Sequence, residues 1–408
     1  MKSSMRVSEL SLHTTQGSVG SLFRKSQFVV RYNDPALTAP ELAISLTMPP
    51  RPEGWSSNQI PPVLAMNLPE GFLRDRVIDR YRKVMDIEDM NLLAMTSTPT
   101  SGRVWASMPD KQEFETGEPV ALRDILAHHG TEELFDELLE KYSTASISGV
   151  QPKVVVPEYS ESADTAFGKT AVKLPDLIVK AAGIEYPGLA ENEFICMSIA
   201  RHIGLETPEF WLSDDRKLFV IRRFDMSSIG YLGFEDLAVL TGRHPDNKYQ
   251  GSYADVAKAI EANVAPLNRV SSLDALFRLV VLNCAIRNGD AHLKNFGVLY
   301  GDPKSADTDA RLAPVYDLVN TTMYLPKDVL ALGLGGSKAW PAMKTLEKYG
   351  RAACGVRNPG HVIEDIITRV MEYQPLDSTS KIWKQVRGQV ELGVMSIRAG
   401  AGARRSTH

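Results

Sequence analysis

Asn288-Gly289-Asp290-Ala291-His292-Leu293-Lys294-Asn295 is the stretch on which the fold reading turns. It follows a segment, 272–286, in which Leu273, Leu276, Phe277, Val280 and Val281 recur at helical spacing, with Ser272 the expected N-cap. Asn288-Gly289 then predicts a helix stop, because glycine accepts a left-handed backbone there. An apolar run at 296–300, a polar segment at 301–310 and a second run at 311–316 return the chain to Asp317. A hairpin brings its ends together, so Asn295 and Asp317 are expected to be neighbours although 22 positions separate them.

Asp290 and Asn295 stand five apart, the spacing of the catalytic aspartate and the magnesium-binding asparagine in a protein-kinase catalytic loop. In that reading Asp290 orients or deprotonates an attacking hydroxyl. Asn295 and Asp317 offer oxygen ligands to Mg2+, and Lys294 adds a cation. A lone D-x-x-x-x-N is usually a solvated turn; the helix, the stop and the hairpin around it carry the phosphotransfer reading. His292 finds no zinc-site partner in His202, His244 or His361, and is expected to orient the loop.

A nucleotide needs two further parts upstream. Residues 146–153 (SISGVQPK) lead into a strand at 154–156. Backbone N–H groups around Ser148 and Gly149 would approach phosphate oxygens, with Lys153 adding charge. It is neither a Walker A nor a G-x-G-x-x-G sequence, and by itself reads as a turn. Lys180 ends a strand at 177–180, and Glu193 lies in the first turn of a helix at 190–203, whose Ile195, Ile199 and Ile203 share a face. Such a lysine and carboxylate orient an ammonium toward α/β-phosphates. Lys173 and Glu191 rank below them.

The remaining chain sets the class. Its 408 residues are 43% hydrophobic, with 46 Lys+Arg against 50 Asp+Glu, so the net charge of −4 carries no global nucleic-acid or anionic-membrane signature. Cys196, Cys284 and Cys354 form no C-x-x-C pair, which argues against a disulfide framework or a zinc finger. No apolar stretch approaches the ~18 residues of a membrane span and no signal-peptide pattern opens the chain. A soluble, cytoplasmic protein is expected. Residues 1–110 read as a β-rich unit with strands at 26–32 and 43–48 and a helix at 72–84. Residues 111–225 read as strands with one helix, and 226–408 as mostly helical, including a helix at 253–261.

These motifs together resemble the HipA-type serine/threonine kinase toxins. The resemblance runs in order through SISGVQPK (146–153), Asn192-Glu193-Phe194, Arg222-Arg223-Phe224-Asp225, YQGSYADVAKAI (249–260), NGDAHLKN (288–295) and LAPVYDL (312–318). Val19-Gly20-Ser21-Leu22 and NLPEG (67–71) extend it to an N-terminal subdomain. It implies an α+β, two-lobed, protein-kinase-like fold, with a β-rich N-terminal lobe, an added N-terminal subdomain and a mostly helical C-terminal lobe. It also implies Asp290 as base, Asn295 and Asp317 as Mg2+ ligands and Lys180 as the ATP-phosphate lysine. Lys153, Ser148, Gly149, Glu193, Arg223, Phe224, His292 and Lys294 would belong to the ATP site. The 220–224 strand would be the hinge that receives adenine; Arg222 stands there where some members have an acid. Ser146 matches the family's autophosphorylated loop serine, and Ser148 makes a double-serine variant. The implied partners are a protein substrate, of which aminoacyl-tRNA synthetases are one class, and a small helix-turn-helix antitoxin through which DNA is reached. A small-molecule kinase and a kinase-like co-repressor are the competing readings.

Overall fold

The computed structural model describes residues 7–70, 74, 78, 88–95, 99–109, 118–127, 134–135, 137–138, 153–159, 176–182, 185–228 and 230–399. Ser146, Ser148, Gly149, Lys173 and most of the expected 72–84 helix lie outside them. The fold is α+β and divides into two compact units. The first takes Met1–Ala190, Glu209–Glu235 and Tyr300–Ser305; the second takes Glu191–Pro208, Asp236–Leu299 and Ala306–His408.

Among the described residues, two larger antiparallel sheets and a short Met226–Ser227/Gly230–Tyr231 ribbon build the first unit. One has five strands in the order β4-β3-β2-β1-β5, with β1 Glu9–Thr14, β2 Gly17–Arg24, β3 Phe28–Tyr32, β4 Trp55–Ser57 and β5 Val104–Ser107. Its register sets Leu10 opposite Leu22 and Leu22 opposite Val30, and all three are fully buried. Alternation places such residues on one face, so a single register satisfies the core. The expected strand at 43–48 is absent as a ladder. Ala43, Ile44 and Met48 are buried, but the segment turns, with one isolated bridge between Ser45 and Met48. Side chains satisfy its backbone instead: the Ile44 N–H donates to Tyr32 Oη (3.0 Å) and the Leu46 N–H to Glu235 Oε1 (2.8 Å).

The second sheet has the order β6-β7-β9-β8, from β6 Lys153–Val156, β7 Leu177–Ala181, β8 Phe210–Leu212 and β9 Leu218–Arg222. Val154, Val156, Leu177, Val179, Leu218 and Val220 pack on Ile125, Phe135 and Leu138. Strand alternation therefore turns Lys153, Lys180 and Phe219 to the opposite face.

Helices dominate the second unit. Arg269–Ala285 is buried on every side over its last two turns, Leu279–Ala285, and packs against Pro359–Glu372 and Lys381–Ala399. A helix segment buried all round belongs in the middle of a bundle. It begins three residues before the expected Ser272, because the Pro266–Asn268 turn starts the winding earlier. Ser272 is buried inside the helix, where its Oγ accepts from the Leu312 N–H (3.1 Å). Tyr253–Asn263 opens on a capping box in which Ser252 and Asp255 exchange side-chain and backbone bonds. The strand Gly297–Tyr300 pairs with Arg311–Leu312, Val298 opposite Leu312. The second arm of this hairpin is shorter than the expected 311–316, and Ala306–Asp309 is a short helix inside the connecting segment.

Candidate functional site

The Arg269–Ala285 helix delivers the chain into the loop that carries Asp290. Arg287, at φ +55°, takes the left-handed position expected of Gly289. Gly289 is needed for another reason: a Cβ there would stand 2.7 Å from the Val329 carbonyl oxygen and closer still to the Asp328 carboxylate. Its N–H donates to Thr321 Oγ1 (2.9 Å). Asn288 ties the loop back to the helix through Asn283 Oδ1 (2.9 Å) and accepts from the Asp290 N–H (3.1 Å). Asp290 is thus held by a backbone whose polar groups are satisfied locally.

Asn295 and Asp317 are brought together as the hairpin predicts. Asn295 Nδ2 donates to Asp317 Oδ2 (2.9 Å), while its Oδ1 accepts from the His292 N–H (3.1 Å). Asp317 holds φ +58°, a left-handed backbone uncommon outside glycine and costing about 1–2 kcal/mol. Tyr316 beside it is half-buried and donates its hydroxyl to the Lys294 carbonyl (2.7 Å), which fixes the two arms in register. A carboxylate and an amide side by side are hard oxygen donors, the chemistry that suits Mg2+ shared with phosphate oxygens. Among the described residues, no group of three or more His, Cys, Asp and Glu side chains is placed to hold a metal.

Electrostatics separate the roles. The Asp290 carboxyl is pushed up to about 6, first by burial and then by the charges of Asp317 and Asp328, against the Tyr249 hydrogen bond and Lys248. His292 is buried and pushed down to about 3 by burial and by Lys248, so its imidazole is neutral. It caps the Leu293–Asn295 turn and packs edge-on against Tyr249, with ring centroids 5.1 Å apart. Lys294, half-buried, lies within the same turn.

In the first unit, Lys153 and Lys180 are direct cross-strand partners and both are buried. Lys180 Nζ also lies 5.7 Å from the centroid of the Phe219 ring. Two ammonium groups thus come from adjacent strands on one face of the sheet. Glu193 is fully buried within the Leu189–His202 helix of the second unit, and Glu191 accepts from Ser380 Oγ.

Arg223 and Phe224 make their contacts within the first unit. The Arg223 guanidinium is buried and bonds Asp225 twice (2.9 and 2.7 Å) and the Pro99 carbonyl (2.7 Å). Burial alone would lower its pKa, but the Asp225 carboxylate outweighs this and raises it. Its side chain is therefore occupied within the first unit. Phe224 packs edge-on against Phe234, with centroids 5.2 Å apart. Arg222 is drawn to Glu158 (2.8 Å), Asp176 (3.0 Å) and Glu209 (2.8 Å).

Sequence reasoning assigned no role to Tyr249, Asn192 or Asn320. Tyr249 Oη donates to Asp290 Oδ1 (2.7 Å) from 41 positions upstream. Asn192 and Asn320 exchange amide and backbone bonds, each 2.9 Å, and Asn320 Nδ2 donates to the Ile286 carbonyl (2.6 Å), bracing the segment after Asp317 against the base of the loop. Tyr249 and Asn192 fall within motif-bearing segments, which was their only sequence signal, whereas Asn320 lies two residues beyond the 312–318 motif and had none.

Comparison with known proteins identifies the family. Residues 145–374 match the model of the HipA-like C-terminal domain, and residues 10–107 that of the HipA N-terminal domain. The "Putative kinase Y4dM" of Sinorhizobium fredii is 29% identical over 318 residues, 72% of this chain and 70% of the relative. A "Putative kinase" of Haemophilus influenzae is 30% identical over 202 residues, 45% of this chain and 55% of the relative. Among solved structures, the Shewanella oneidensis toxin–antitoxin complex of HipA, HipB and operator DNA superposes with a TM-score of 0.73 at 20% identity, covering 98% of this chain and 100% of that one. The fold is shared at that distance, and with the C-terminal domain match spanning more than half its length the chain belongs to the HipA family.

Proposed function

We propose that the chain is an ATP-dependent kinase that transfers the γ-phosphoryl group to a serine or threonine hydroxyl of a protein. The observation that carries this reading is the Asn295–Asp317 hydrogen bond of 2.9 Å in the loop that also holds Asp290, whose carboxyl is raised to about 6. A general base serves best with a pKa near working pH. Asp290 is therefore the group that orients the acceptor and takes its proton. Asn295 and Asp317 would hold Mg2+, which when bound supplies positive charge against the phosphates. Lys153 and Lys180 supply fixed positive charge for the nucleotide, and the backbone of 220–224 is the adenine hinge.

Two finer assignments go with this reading. Ser146 or Ser148 is the site of autophosphorylation, which would set a charge near −2 within a loop meant to cradle phosphates. The partner is a small helix-turn-helix antitoxin; the Shewanella structure holds HipA together with HipB and operator DNA, and a net charge of −4 leaves DNA contact to that partner. The test is transfer of labelled phosphate from Mg-ATP. Asp290→Asn and Asp317→Asn are each expected to lower it by more than about a hundredfold with unchanged circular dichroism. Full turnover in either variant overturns the assignment.

A further inference from the structure

We propose that the edge of Asp290 faced by Tyr249 is the acceptor-hydroxyl subsite, and that the Tyr249 phenol occupies it until an incoming hydroxyl takes its place. The inference rests on the reading of Asp290 as the base. A base must lie within about 2.6–3.2 Å of the hydroxyl it deprotonates. Tyr249 Oη already stands at 2.7 Å from Asp290 Oδ1, donating its proton as a serine or threonine hydroxyl would.

The surroundings suit a group that can be exchanged. Tyr249 is 42% exposed, so this edge of Asp290 is reached from solvent through the tyrosine ring. The ring touches the edge of His292 at 5.1 Å between centroids, and Lys248 Nζ lies 5.6 Å from its centroid. The backbone is anchored separately: Lys338 Nζ donates to the Tyr249 carbonyl at 3.3 Å, and the Leu293 N–H to the Lys248 carbonyl at 3.1 Å. A χ1 rotation can therefore withdraw the phenol without moving the loop. Asp290 would trade one hydroxyl donor for another, while Lys248 and His292 stay behind as walls of the subsite. A chain of this kind discriminates acceptors by whether their hydroxyl can displace a phenol.

Tyr249→Phe keeps the ring and removes the competing hydroxyl. The test uses the full-length chain with Mg-ATP and two acceptors: a synthetic peptide of residues 141–156, which contains the loop serines, and water, followed as ADP release. The variant is expected to lower KM for the peptide about fivefold, the worth of one exposed hydrogen bond, with KM for ATP unchanged and ADP release raised. A fall in kcat at constant KM would make Tyr249 a positioning residue for Asp290 and overturn the proposal, as would no change in any constant. If the peptide is not labelled, ADP release alone decides, a rise supporting the subsite and its absence refuting it. Asp290→Asn, run in both backgrounds, separates the two readings: residual turnover there removes the base itself, whereas its loss beside an unresponsive Tyr249→Phe removes only the subsite.

Discussion

Asp225→Asn should unfold the first unit well before it affects any chemistry. The Asp225 carboxylate accepts from Arg223 Nε (2.9 Å), from Arg223 Nη2 (2.7 Å) and from the Gly102 N–H (2.6 Å). The side chains of Arg223 and Asp225 are 1% and 6% exposed. Neutralising Asp225 leaves the buried guanidinium without a carboxylate partner, held by the Pro99 and Gly102 carbonyls at 2.7 and 3.4 Å, by the Tyr231 ring at 4.4 Å and by one amide oxygen. Removing one member of such a pair costs about 3–5 kcal/mol, because the other charge stays desolvated. For a unit of this size each kcal/mol moves the midpoint by about 2–4 °C, so a drop of about 6–20 °C is expected. Calorimetry of the full-length chain reads it directly. Replacing both residues with apolar ones, Arg223→Met with Asp225→Leu, should recover more than half of the loss. The reasoning fails if Asp225→Asn costs less than about 1 kcal/mol while Arg223→Met raises KM for ATP without loss of stability. That result would return the guanidinium to the nucleotide.

Two further outcomes follow from geometry and charge. Raised to about 6, Asp290 favours its protonated form in the folded chain. Its contribution to stability is therefore full below the ordinary 3.8 and lost as pH rises through about 6, while activity, which needs the ionised base, runs the other way. Turnover should fall about tenfold per pH unit below 6; a steady-state profile flat to pH 5 with the fold intact would contradict this. Gly393→Ala places a Cβ 3.0 Å from the Cys284 carbonyl oxygen and nearer still to that of Ala285, backbone that cannot yield. It should cost about 1–3 kcal/mol in urea unfolding, whereas Gly388→Ala in the same helix, with nothing within 4 Å, should be neutral or stabilising; equal effects would refute the packing argument.

What the residues disclosed in advance were features with local causes. The β6, β7 and β9 strands follow from β-branched runs, and the Asn295–Asp317 meeting from a hairpin's need to close. The irregular 43–48 segment did not, because its apolar residues alternate as in a strand while its backbone is satisfied by Tyr32 and Glu235, a partner about 190 positions away. The partners of Arg223 were hidden for a related reason. A basic residue after a hinge strand looks available until Asp225, two positions on, and the distant Pro99 carbonyl close around it. Tyr249 was invisible as a partner of Asp290, since nothing about a tyrosine in a polar loop tells which carboxylate it will reach.

The path of the chain through the two units sets an order on its synthesis. Glu235 is fully buried, its carboxyl raised by burial, and it accepts from Ser45, from the Leu46 N–H and from the Tyr300 hydroxyl. Tyr300 is made 65 residues after Glu235, a wait of about 3–13 s on a ribosome adding 5–20 residues per second. Through that interval the first unit holds a carboxylate one donor short. A nascent chain halted at 235 cannot finish its first unit, so gene fragments cut there should yield protein that depends on chaperones or is degraded, however sound each sheet is alone.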